Sequence, residues 1–459
     1  MRLTILLLSI SIPLFAQSIS ARNWLDYRGA TEGHSHFEDR AWLSANWGDF
    51  SGGLLFWAKQ PSRITPDGTD TTSIELAQYW MNYYSPNIEL TAGSFTRALG
   101  QGLILDLYER PDIQIDHHCD GASFNIHLSQ SDFVSGRDGF LKPRLDMGGF
   151  NGIAHWDNEA IVRGGEIATS LWKFRLGGEY AKILPVISAH QELWGAFGGL
   201  SLDFLSLYAE YGHKKPLGGL AEEGEAKYAS CAAMIDKFSL TLEYKDYKEF
   251  ATRTPTILYN NPPKLIREPY YTLPSLHLRE LNADNEKGYM SVFRGTIWRI
   301  SPEISYSHAE QHDGKNKFDQ IWAEIEYSNE DETFIAKMAA DYERGEDDTL
   351  ATPILDITWE PEWTLFAFNI IGEFQPADSL NNIFGSLSIS YSPYMTLGAE
   401  GGTIENESFV RGFADIDIIE RTKIRLGYGK RPGGFTCSGG VCRYESAFEG
   451  VEFQMILTY

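Results

Sequence analysis

Hydrophobic and polar positions alternate with a period of two along most of the chain after residue 22. In one example, Phe238, Leu240 and Leu242 alternate with Ser239 and Thr241. This period places one set of side chains on each face of a β-strand. The alternating segments are about ten residues long, which is enough for a tilted strand to cross a bilayer. Because no long amphipathic helix pattern accompanies them, the pattern predicts an all-β fold.

The connections between these segments fall into a short and a long set. The short ones carry Pro, Asn, Asp or Ser, which favour tight turns; examples are 47–50, 84–87, 300–303, 328–331, 359–363 and 391–394. The long ones are predicted at 61–73, 98–120, 137–157, 249–287, 344–352 and 431–446. Short and long connections alternate along the chain.

This alternation has a topological meaning. Consecutive connections of an up-and-down sheet lie at opposite ends, so all the short turns share one end. Outer-membrane barrels have short periplasmic turns and long extracellular loops. Eleven short turns, with both chain ends on the same side, predict 24 strands; they lie near 48, 86, 130, 171, 201, 236, 301, 330, 361, 393 and 418. The predicted fold is therefore a single large transmembrane up-and-down antiparallel β-barrel of about 24 strands, with 22 to 26 as the range.

Aromatic residues mark the ends of the strands that precede short turns. A ring with one apolar and one polar edge suits the membrane interface. The residues concerned are Trp47, Tyr84, Trp298, Tyr327, Trp359 and Tyr391.

The last segment is apolar or aromatic at every odd position, namely Val451, Phe453, Met455, Leu457 and Tyr459. It resembles the terminal strand by which outer-membrane barrels are recognised for assembly. We therefore expect the barrel-assembly machinery to be a partner.

The N-terminus has the layout of a secretory signal peptide. Met1-Arg2 is followed by an apolar stretch to Phe15 and then by small residues. The apolar run is short for a membrane anchor. We expect a signal peptide within 1–21, with cleavage after 16, 18 or 21, and a barrel over 22–459 in the outer membrane of a Gram-negative cell.

Composition narrows the partners. The chain has 63 Asp+Glu against 39 Lys+Arg, a formal charge of −24, and no basic run, so nucleic acid is excluded as a partner. Aromatic residues make up 13%, which argues against disorder. In an oxidising compartment, Cys437 and Cys442 could close a small disulfide loop. Whether Cys119 and Cys231 pair is left open.

Two blocks resemble a family of uncharacterised bacterial outer-membrane β-barrel proteins. The first runs from Gly93 to Arg110 and continues with Asp116 and Asp120-Gly121. The second comprises 259–263 and 281–286. The resemblance implies an outer-membrane barrel over nearly the whole mature chain. It implies no known activity or ligand, so no functional residue is carried over.

A barrel of this size has a lumen too wide for wall side chains to fill. Since no separate plug domain is predicted, the lumen is either open or occupied by the connections 98–120 and 249–287. We expect the first of these to line or constrict the pore. Arg97, Glu109 and Arg110 are the pore-lining candidates, because their charges would set the local field. Alternatively, they form ordinary salt bridges in an extracellular loop.

The favoured function is a porin-like or substrate-specific channel for small solutes. Strand acids at alternate positions would make the lumen acidic and favour cations; they include Glu324, Glu326, Asp341 and Glu343. The alternative is a surface-exposed binding or scaffold barrel with a loop-filled lumen. Its loop tyrosines (Tyr259, Tyr270 and Tyr271) would hold a polysaccharide or partner protein. Outer-membrane lipid is an expected partner, whereas the solute or surface glycan is not identified.

Catalytic and metal chemistry are not indicated. The chain has only 11 His, and no Gly-x-Ser-x-Gly occurs in a strand–turn–helix context. The run 116–120 and the pairs His34/His36 and His308/His312 contain ligand-type side chains. They fit solvated polar loops better, because no second ligand group follows at a defined spacing. The sequence therefore predicts no enzyme, no cofactor and no metal site.

Overall fold

The structure is a computed structural model of the full chain. It describes residues 17–31, 35–60, 73–110, 115–129, 143–155, 159–186, 189–217, 222–252, 258–276, 284–346, 348–376, 381–418, 421–438 and 441–459. The predicted signal peptide as far as residue 16 lies outside the described residues.

The described residues form 30 strands and one short helix. The strands, β1 to β30 in chain order, are Ser18–Ala30, His36–Trp47, Phe50–Gln60, Ser73–Tyr84, Ile88–Phe95, Arg97–Leu99, Leu105–Leu107, Glu109–Arg110, Ile115–Asp116, Cys119–Ser129, Arg144–Ala154, Ala160–Leu171, Phe174–Leu184, His190–Ser201, Leu205–Leu217, Gly224–Ile235, Phe238–Lys248, Asn285–Gly295, Ile300–Gln311, Phe318–Ser328, Phe334–Arg344, Thr349–Trp359, Phe366–Gln375, Asn382–Tyr391, Met395–Ile404, Glu407–Asp417, Thr422–Arg431, Gly434–Ser438, Val441–Glu445 and Phe448–Thr458. The helix, α1, is Thr272–Leu276.

Twenty-four of these strands make one closed antiparallel sheet. Strands β1–β5, β10–β27 and β30 each pair with the next, and β30 also pairs with β1, for example Phe453 with Tyr27. The remaining six strands form three small hairpins, β6–β7, β8–β9 and β28–β29. The predicted closed barrel and its strand count are confirmed.

One end of the barrel, called the turn end here, carries the tight connections 48–49, 85–87, 172–173, 202–204 and 236–237 among others. The opposite end, the loop end, carries the long connections 96–118, 249–284 and 432–447. Several loop-end connections are short, such as 405–406 between β25 and β26. The asymmetry between the two ends therefore rests on a few long segments.

Several predicted boundaries are wrong. The long connection placed at 344–352 is only 345–348, and the short turn placed near 130 is the longer connection 130–143. The turn placed at 300–303 lies at 296–299, because Pro302 sits near the beginning of β19, where a proline is tolerated, and pairs with Ile325. The long connection placed at 137–157 contains β11, and the chain returns to β12 through 155–159. The wall begins at Ser18 instead of residue 22, since residues 18–21 already pair with β2.

Strand β11 was not predicted because glycines interrupt its hydrophobic pattern. Gly148 and Gly149 interrupt the apolar alternation of that strand, and a side chain at either position would displace a packed neighbour. An ideal Cβ at Gly148 would lie 2.2 Å from Arg97 Nη2, and one at Gly149 would lie 2.7 Å from Phe124 Cε1. Neighbouring side chains pack closely over these glycines on both faces of the wall, so β11 lacks the apolar alternation by which the other strands were predicted.

The two faces of the wall differ in chemistry. On β17, Leu240, Leu242 and Tyr244 are exposed on the outside, whereas Lys245 and Tyr247 are buried on the inside. The same alternation recurs on other wall strands, such as the second half of β21. An apolar belt around a closed sheet is stable only in a lipid environment, since in water it would be a large exposed hydrophobic patch.

Among the described residues, no helix is long and apolar enough to cross a membrane.

Aromatic side chains cluster at the turn end, as the pattern indicated. Trp47, Tyr84, Trp359 and Tyr391 are the last residues of their strands. Tyr327 is the penultimate residue of β20, and Trp298 lies in the turn that follows β18. Exposed Trp363 and Tyr394 in neighbouring turns extend this girdle. Rings of this kind suit the boundary between apolar and aqueous surroundings.

Candidate functional site

Two long connections fold back into the barrel and pack against its inner wall. The first luminal segment is 96–118, described except for 111–114, and the second is 249–276, described except for 253–257. Leu99, Leu103, Ile104, Leu105 and Leu107 of the first segment are fully or almost fully buried. They cluster with inward side chains of six wall strands, namely Phe150, Val162, Ile183, Leu193, Ala226 and Tyr247. The loop-end half of the lumen therefore contains a packed apolar core.

Hydrogen bonds join the two segments to each other. Asn260 Nδ2 donates to Leu103 O at 3.0 Å, and the Asp106 amide donates to Tyr259 O at 2.8 Å. The Asn261 amide donates to Gly102 O at 3.0 Å. Gly102 has a φ of +78°, a conformation that favours glycine. The segments consequently form one body instead of two independent loops.

An acidic arc of the wall holds the second segment. Arg267 forms an ion pair with Glu303 on β19 and lies 3.9 Å from Glu324 on β20. Its guanidinium stacks 4.1 Å from the ring centre of Trp322, and its amide donates to Gln320 Oε1 at 3.1 Å. These contacts fix the segment to β19 and β20.

Further along the segment, the wall acids bind backbone groups. The Thr272 and Leu273 amides donate to the carboxylate of Glu373 on β23, at 3.0 and 2.7 Å. These amides begin α1 and have no partner within the helix, so the carboxylate acts as their cap. Leu273 then packs with Phe384 and Phe409 of the wall. The second segment thus extends around the inside of the barrel to β26.

A third inward element is the luminal hairpin, β28–β29. Its strand β28 contacts α1. Cys437 and Cys442 face each other in the hairpin and are joined by a disulfide. Glu445 at its end pairs with Arg431 at 2.9 Å and lies 3.7 Å from Arg28 on β1.

The tip of the first segment is seated on a buried acidic pair of the wall. The Gln101 amide and the Tyr208 hydroxyl both donate to Glu210 Oε2, at 2.9 and 2.6 Å. Glu179 lies beside Glu210, and both are almost fully buried. Gly100 is necessary at this point, because an ideal Cβ would lie 2.0 Å from Glu210 Oε1.

The predicted pore-lining residues all lie in the first segment, but they do not act together. Arg97 Nη1 donates to Asn125 Oδ1 at 2.5 Å, and Nη2 donates to Glu166 Oε1 at 3.3 Å. Glu109 lines the same cavity as Arg97. Arg110 lies elsewhere, with its guanidinium 5.2 Å from the ring centre of Tyr108.

The run 116–120 lies inside the barrel, so the sequence-based interpretation of a surface loop is wrong. His118 Nδ1 is 2.8 Å from Asp116 Oδ1. Burial opposes the charge of His118, but the hydrogen bond and charge of Asp116 outweigh it and raise the pKa of His118. Burial also opposes the charge of Asp116, yet the same histidine and Gln78 hold the pKa of Asp116 below its usual range. Burial lowers the pKa of His117 to about 4.

Burial also acts on other acids of the first segment. It raises the pKa of Glu109, and the nearby charge of Asp116 raises it further. Burial similarly raises the pKa of Asp106, although Arg110 opposes the shift. These carboxyl groups are thus less readily ionised than in water.

The predicted wall acids Glu324, Glu326, Asp341 and Glu343 belong to the inward set of β20 and β21, which also includes buried Gln320 and Trp322. The loop tyrosines differ from the expectation for a binding surface at the loop tips. Tyr259 is 1% exposed, and Tyr271 stacks on Trp322 with ring centres 6.1 Å apart. Tyr270 alone among these three is largely exposed.

Wall side chains toward the turn end remain open to water. Arg294 on β18 and Arg425 on β27 belong to the inward sets of their strands, and their side chains are 60% and 56% exposed. Inward Arg175 on β13 is also exposed. The lumen is therefore packed in its loop-end half and accessible in its turn-end half.

Between the first segment and the wall lies a cavity of about 400 Å³. Its lining combines Trp42 on β2, Trp80 on β4 and Asn125 on β10 with Arg97 and Glu109. The sequence analysis singled out the two charged residues but missed the tryptophans. The sequence pattern could have identified them. In both strands the residues on either side of the tryptophan are apolar or aromatic and face outward, so the tryptophan itself must face the lumen.

Histidine and cysteine chemistry is dispersed. His308 Nδ1 lies 2.8 Å from Asp319 Oδ1, and His312 Nε2 lies 3.1 Å from Asp246 Oδ1. In the part of the chain that the structure describes, no three His, Cys, Asp or Glu residues are placed to hold a metal ion. Cys119 and Cys231 are not paired, since the first lies on the inner face of the wall and the second on the outer face.

Residues 411–459 match the family of unknown function DUF6029. The match covers the last strands of the wall and the luminal hairpin. An uncharacterised family is what the resemblance of the sequence implied, although the match lies outside the two blocks on which that resemblance was based. No curated protein is significantly similar in sequence.

Solved structures with a similar fold are outer-membrane proteins. The translocation pore of the P pilus usher PapC matches with a TM-score of 0.56 and 10% identity, over 96% of this chain and 98% of that chain. The siderophore receptor PirA from Pseudomonas aeruginosa matches with a TM-score of 0.46 and 8% identity, over 96% and 80% of the chains. OccK11 from the same organism has a TM-score of 0.38 and 11% identity, over 72% and 91%.

At these identities the likeness concerns the fold alone, and of these three structures the usher has a TM-score above 0.5. The shared barrel fold and the apolar belt on the outside of this barrel show that the chain is a transmembrane β-barrel of the outer-membrane type.

Proposed function

We propose that this protein is an outer-membrane channel for small solutes, narrowed from the loop end by its own luminal segments. The observation that carries the proposal is the unequal filling of the lumen. The loop-end half holds packed segments attached to the wall, whereas inward side chains such as Arg294 and Arg425 remain exposed toward the turn end. Barrels of 16 to 18 strands already leave an aqueous channel, so a wider barrel needs such segments to be selective.

The wall charges favour cations over anions. Inward acids outnumber inward bases on the arc from β19 to β23, where the acids include Glu303, Glu324, Glu326, Asp341, Glu343, Asp356 and Glu373. Some of them are neutralised, since Arg267 pairs with Glu303 and Lys337 with Glu326. An excess of one sign along a low-dielectric wall raises the local concentration of the opposite ion. A net acidic lumen therefore passes K⁺ more readily than Cl⁻.

The proposal extends to export and assembly. A cleaved signal peptide directs the chain across the inner membrane. The terminal strand, with Val451, Phe453, Met455 and Leu457 on its outer face, and the final residue Tyr459 form the signal for the assembly machinery. In the folded barrel, this strand pairs with both β1 and β27. Deleting Tyr459 should reduce the amount of heat-modifiable barrel in the outer-membrane fraction.

Planar-bilayer recording tests the channel. The refolded protein is inserted into a bilayer with a tenfold KCl gradient, and its conductance and reversal potential are measured. Discrete conductance with a reversal potential displaced toward that of K⁺ supports the proposal. Silent insertion, demonstrated by protease protection and heat-modifiable migration, contradicts it.

The second candidate is a loop-filled barrel that binds a polysaccharide or partner protein at the cell surface. The apolar core between the luminal segments and the wall favours it, because this core is packed like a small domain. The burial of Tyr259 and Tyr271 counts against it, since two of the three aromatic contacts expected at loop tips are used internally. Silent insertion in the bilayer would leave this candidate in place.

A further inference from the structure

The cavity beside Arg97 is lined in a way that the channel proposal does not explain. Trp42 and Trp80 extend from β2 and β4 into the lumen, on either side of β3. Gly53 of β3 lies beneath Trp80, and an ideal Cβ there would be 2.3 Å from Trp80 Cζ2. The indole can therefore lie flat against the wall. The Trp42 ring carries the guanidinium of Arg22 at 5.5 Å from its centre.

The remaining lining is hydrogen-bonding but mostly neutral. Three side-chain amides (Gln78, Asn82 and Asn125) and four hydroxyl groups (Thr91, Ser94, Thr96 and Ser123) line the same space. Amides and hydroxyls each offer both donor and acceptor capacity. Such a set suits a ligand that itself carries several hydroxyl groups.

Two of the three charged groups that line the cavity are paired within the protein. Arg97 lies 3.3 Å from Glu166, and His118 lies 2.8 Å from Asp116. Glu109 is close enough to Gln78 for a hydrogen bond and also lies near Arg40. Arg97 and His118 thus have acidic partners, and the carboxyl group of Glu109 is hydrogen-bonded to a neutral amide. The site therefore favours a neutral polar molecule.

We propose that this cavity is a binding subsite for a neutral saccharide. The less polar face of a pyranose ring stacks on the exposed face of an indole, and its hydroxyl groups exchange water for the amide and hydroxyl groups of the wall. The volume of about 400 Å³ lies within the usual range of small-ligand sites. The cavity borders the first luminal segment, so a bound sugar contacts Arg97 at the point where the passage narrows. This inference names a substrate class for the proposed channel. Transport of the sugar rests on the proposed channel function, whereas binding of the sugar does not.

Binding is measured on the full protein in a sugar-free detergent such as LDAO, by calorimetry and tryptophan fluorescence. The probes are glucose, maltose, maltotriose, sucrose and lactose, with potassium gluconate as the anionic control. We expect saturable binding of at least one neutral sugar and none of gluconate. Trp80→Ala and Trp42→Ala should each weaken that binding at least tenfold, whereas Trp80→Phe should retain most of it.

Trp363→Ala is the matched control, since Trp363 is exposed in a turn far from the cavity. Heat-modifiable migration shows that each variant is folded. Failure of every neutral sugar to bind, or binding that survives both alanine substitutions, overturns the subsite. If the protein conducts but sugars do not block it, the saccharide subsite is disproved and the channel proposal stands. If sugars bind but the protein does not conduct, the channel proposal is disproved and the subsite stands.

Discussion

Asn260 joins two parts of the chain that are 157 residues apart, by donating from Nδ2 to Leu103 O at 3.0 Å. Its Oδ1 accepts from the Thr252 amide at 2.8 Å, and the side chain is fully buried. One amide thus satisfies backbone groups in both luminal segments. Because those segments narrow the lumen together, this residue couples the position of one to the position of the other.

Asn260→Ala should loosen the luminal segments without unfolding the barrel. The substitution leaves the Leu103 carbonyl and the Thr252 amide buried without this partner, at a cost of about 1–3 kcal/mol. Limited trypsin digestion of the folded protein should cut within 97–110 or 264–267 several times faster. Asn46→Ala is the control, since Asn46 is exposed at the turn end. Equal digestion of the two variants would contradict the coupling.

Arg267→Gln should free the second segment from β19 and β20. Arg267 is mostly buried, and its loss leaves Glu303 and Glu324 with less compensation, which costs up to about 3 kcal/mol. The expected result is a larger and noisier single-channel conductance. Arg294→Gln is the matched control, because Arg294 also pairs with Glu303, at 2.7 Å, but belongs to the wall itself. The idea fails if both variants change conductance equally.

Acid should release the first segment. In the docked state, burial lowers the pKa of His117 from 6.5 to about 4, so the undocked state binds more protons over that interval. Docking buries His117 in its neutral form. The docked segment is therefore fully stable with respect to this group above pH 6.5, and it loses stability as the pH falls toward 4. Asp116, with its lowered pKa, acts in the same direction as the pH falls further. His118 has a raised pKa, so its contribution is present below its ordinary value and is lost as the pH rises through the raised pKa. The pKa values of Glu109 and Asp106 are also raised, so their protonation favours the docked segment, and the release expected here requires His117 to outweigh them.

A nitroxide label at Gln101→Cys, where the side chain is exposed, reports this release as spectral narrowing between pH 6.5 and 4.5. His117→Phe preserves an aromatic ring next to Tyr108 and removes the titration. It should abolish most of the acid-induced change. An unchanged response in that variant would assign the release to other groups.

Much of the barrel could be predicted because its constraints are local and repeated. The period of two and the turn residues determine the strands one by one. Their even number brings both chain ends to the same end of the sheet, as the pairing of β1 with β30 requires. The errors lie where those signals are absent. Gly148 and Gly149 in β11 carry no hydrophobic signal, although the side chains of Arg97 and Phe124 pack closely over them.

The lumen could be predicted only in outline. Length and composition identified the two segments that fold inward, and Arg97 and Glu109 do border the cavity. The attachment of Arg267 to Glu303 and the approach of Asn260 to Leu103 depend on pairs distant in sequence. The periodicity of the sequence cannot predict such pairs, because the two residues of each pair come together only when the sheet closes and the segments fold into it.

Arg97→Ala should increase the cation preference of the channel. The substitution removes a positive charge at the narrowed passage and leaves Glu166, 3.3 Å away, without this partner. The reversal potential in a KCl gradient should move further toward that of K⁺. Arg110→Ala serves as the control, since Arg110 stacks on Tyr108 away from the cavity and should change selectivity less. A larger effect of Arg110→Ala would show that Arg110, and not Arg97, sets the electric field in the passage, and would contradict this prediction.

The mature chain should begin at Gln17. Three cleavage positions fit the sequence, but the barrel wall distinguishes among them. The Gln17 amide donates to Asn46 O at 2.8 Å, and residues 18–21 continue the pairing of β1 with β2. Cleavage after Ala21 would remove this part of the ladder and also the Ala21 amide that donates to Tyr459 O at 3.1 Å, next to the closing seam. Intact-mass measurement of protein purified from the outer membrane decides the matter: a chain beginning at Arg22 would show that closure does not need these residues.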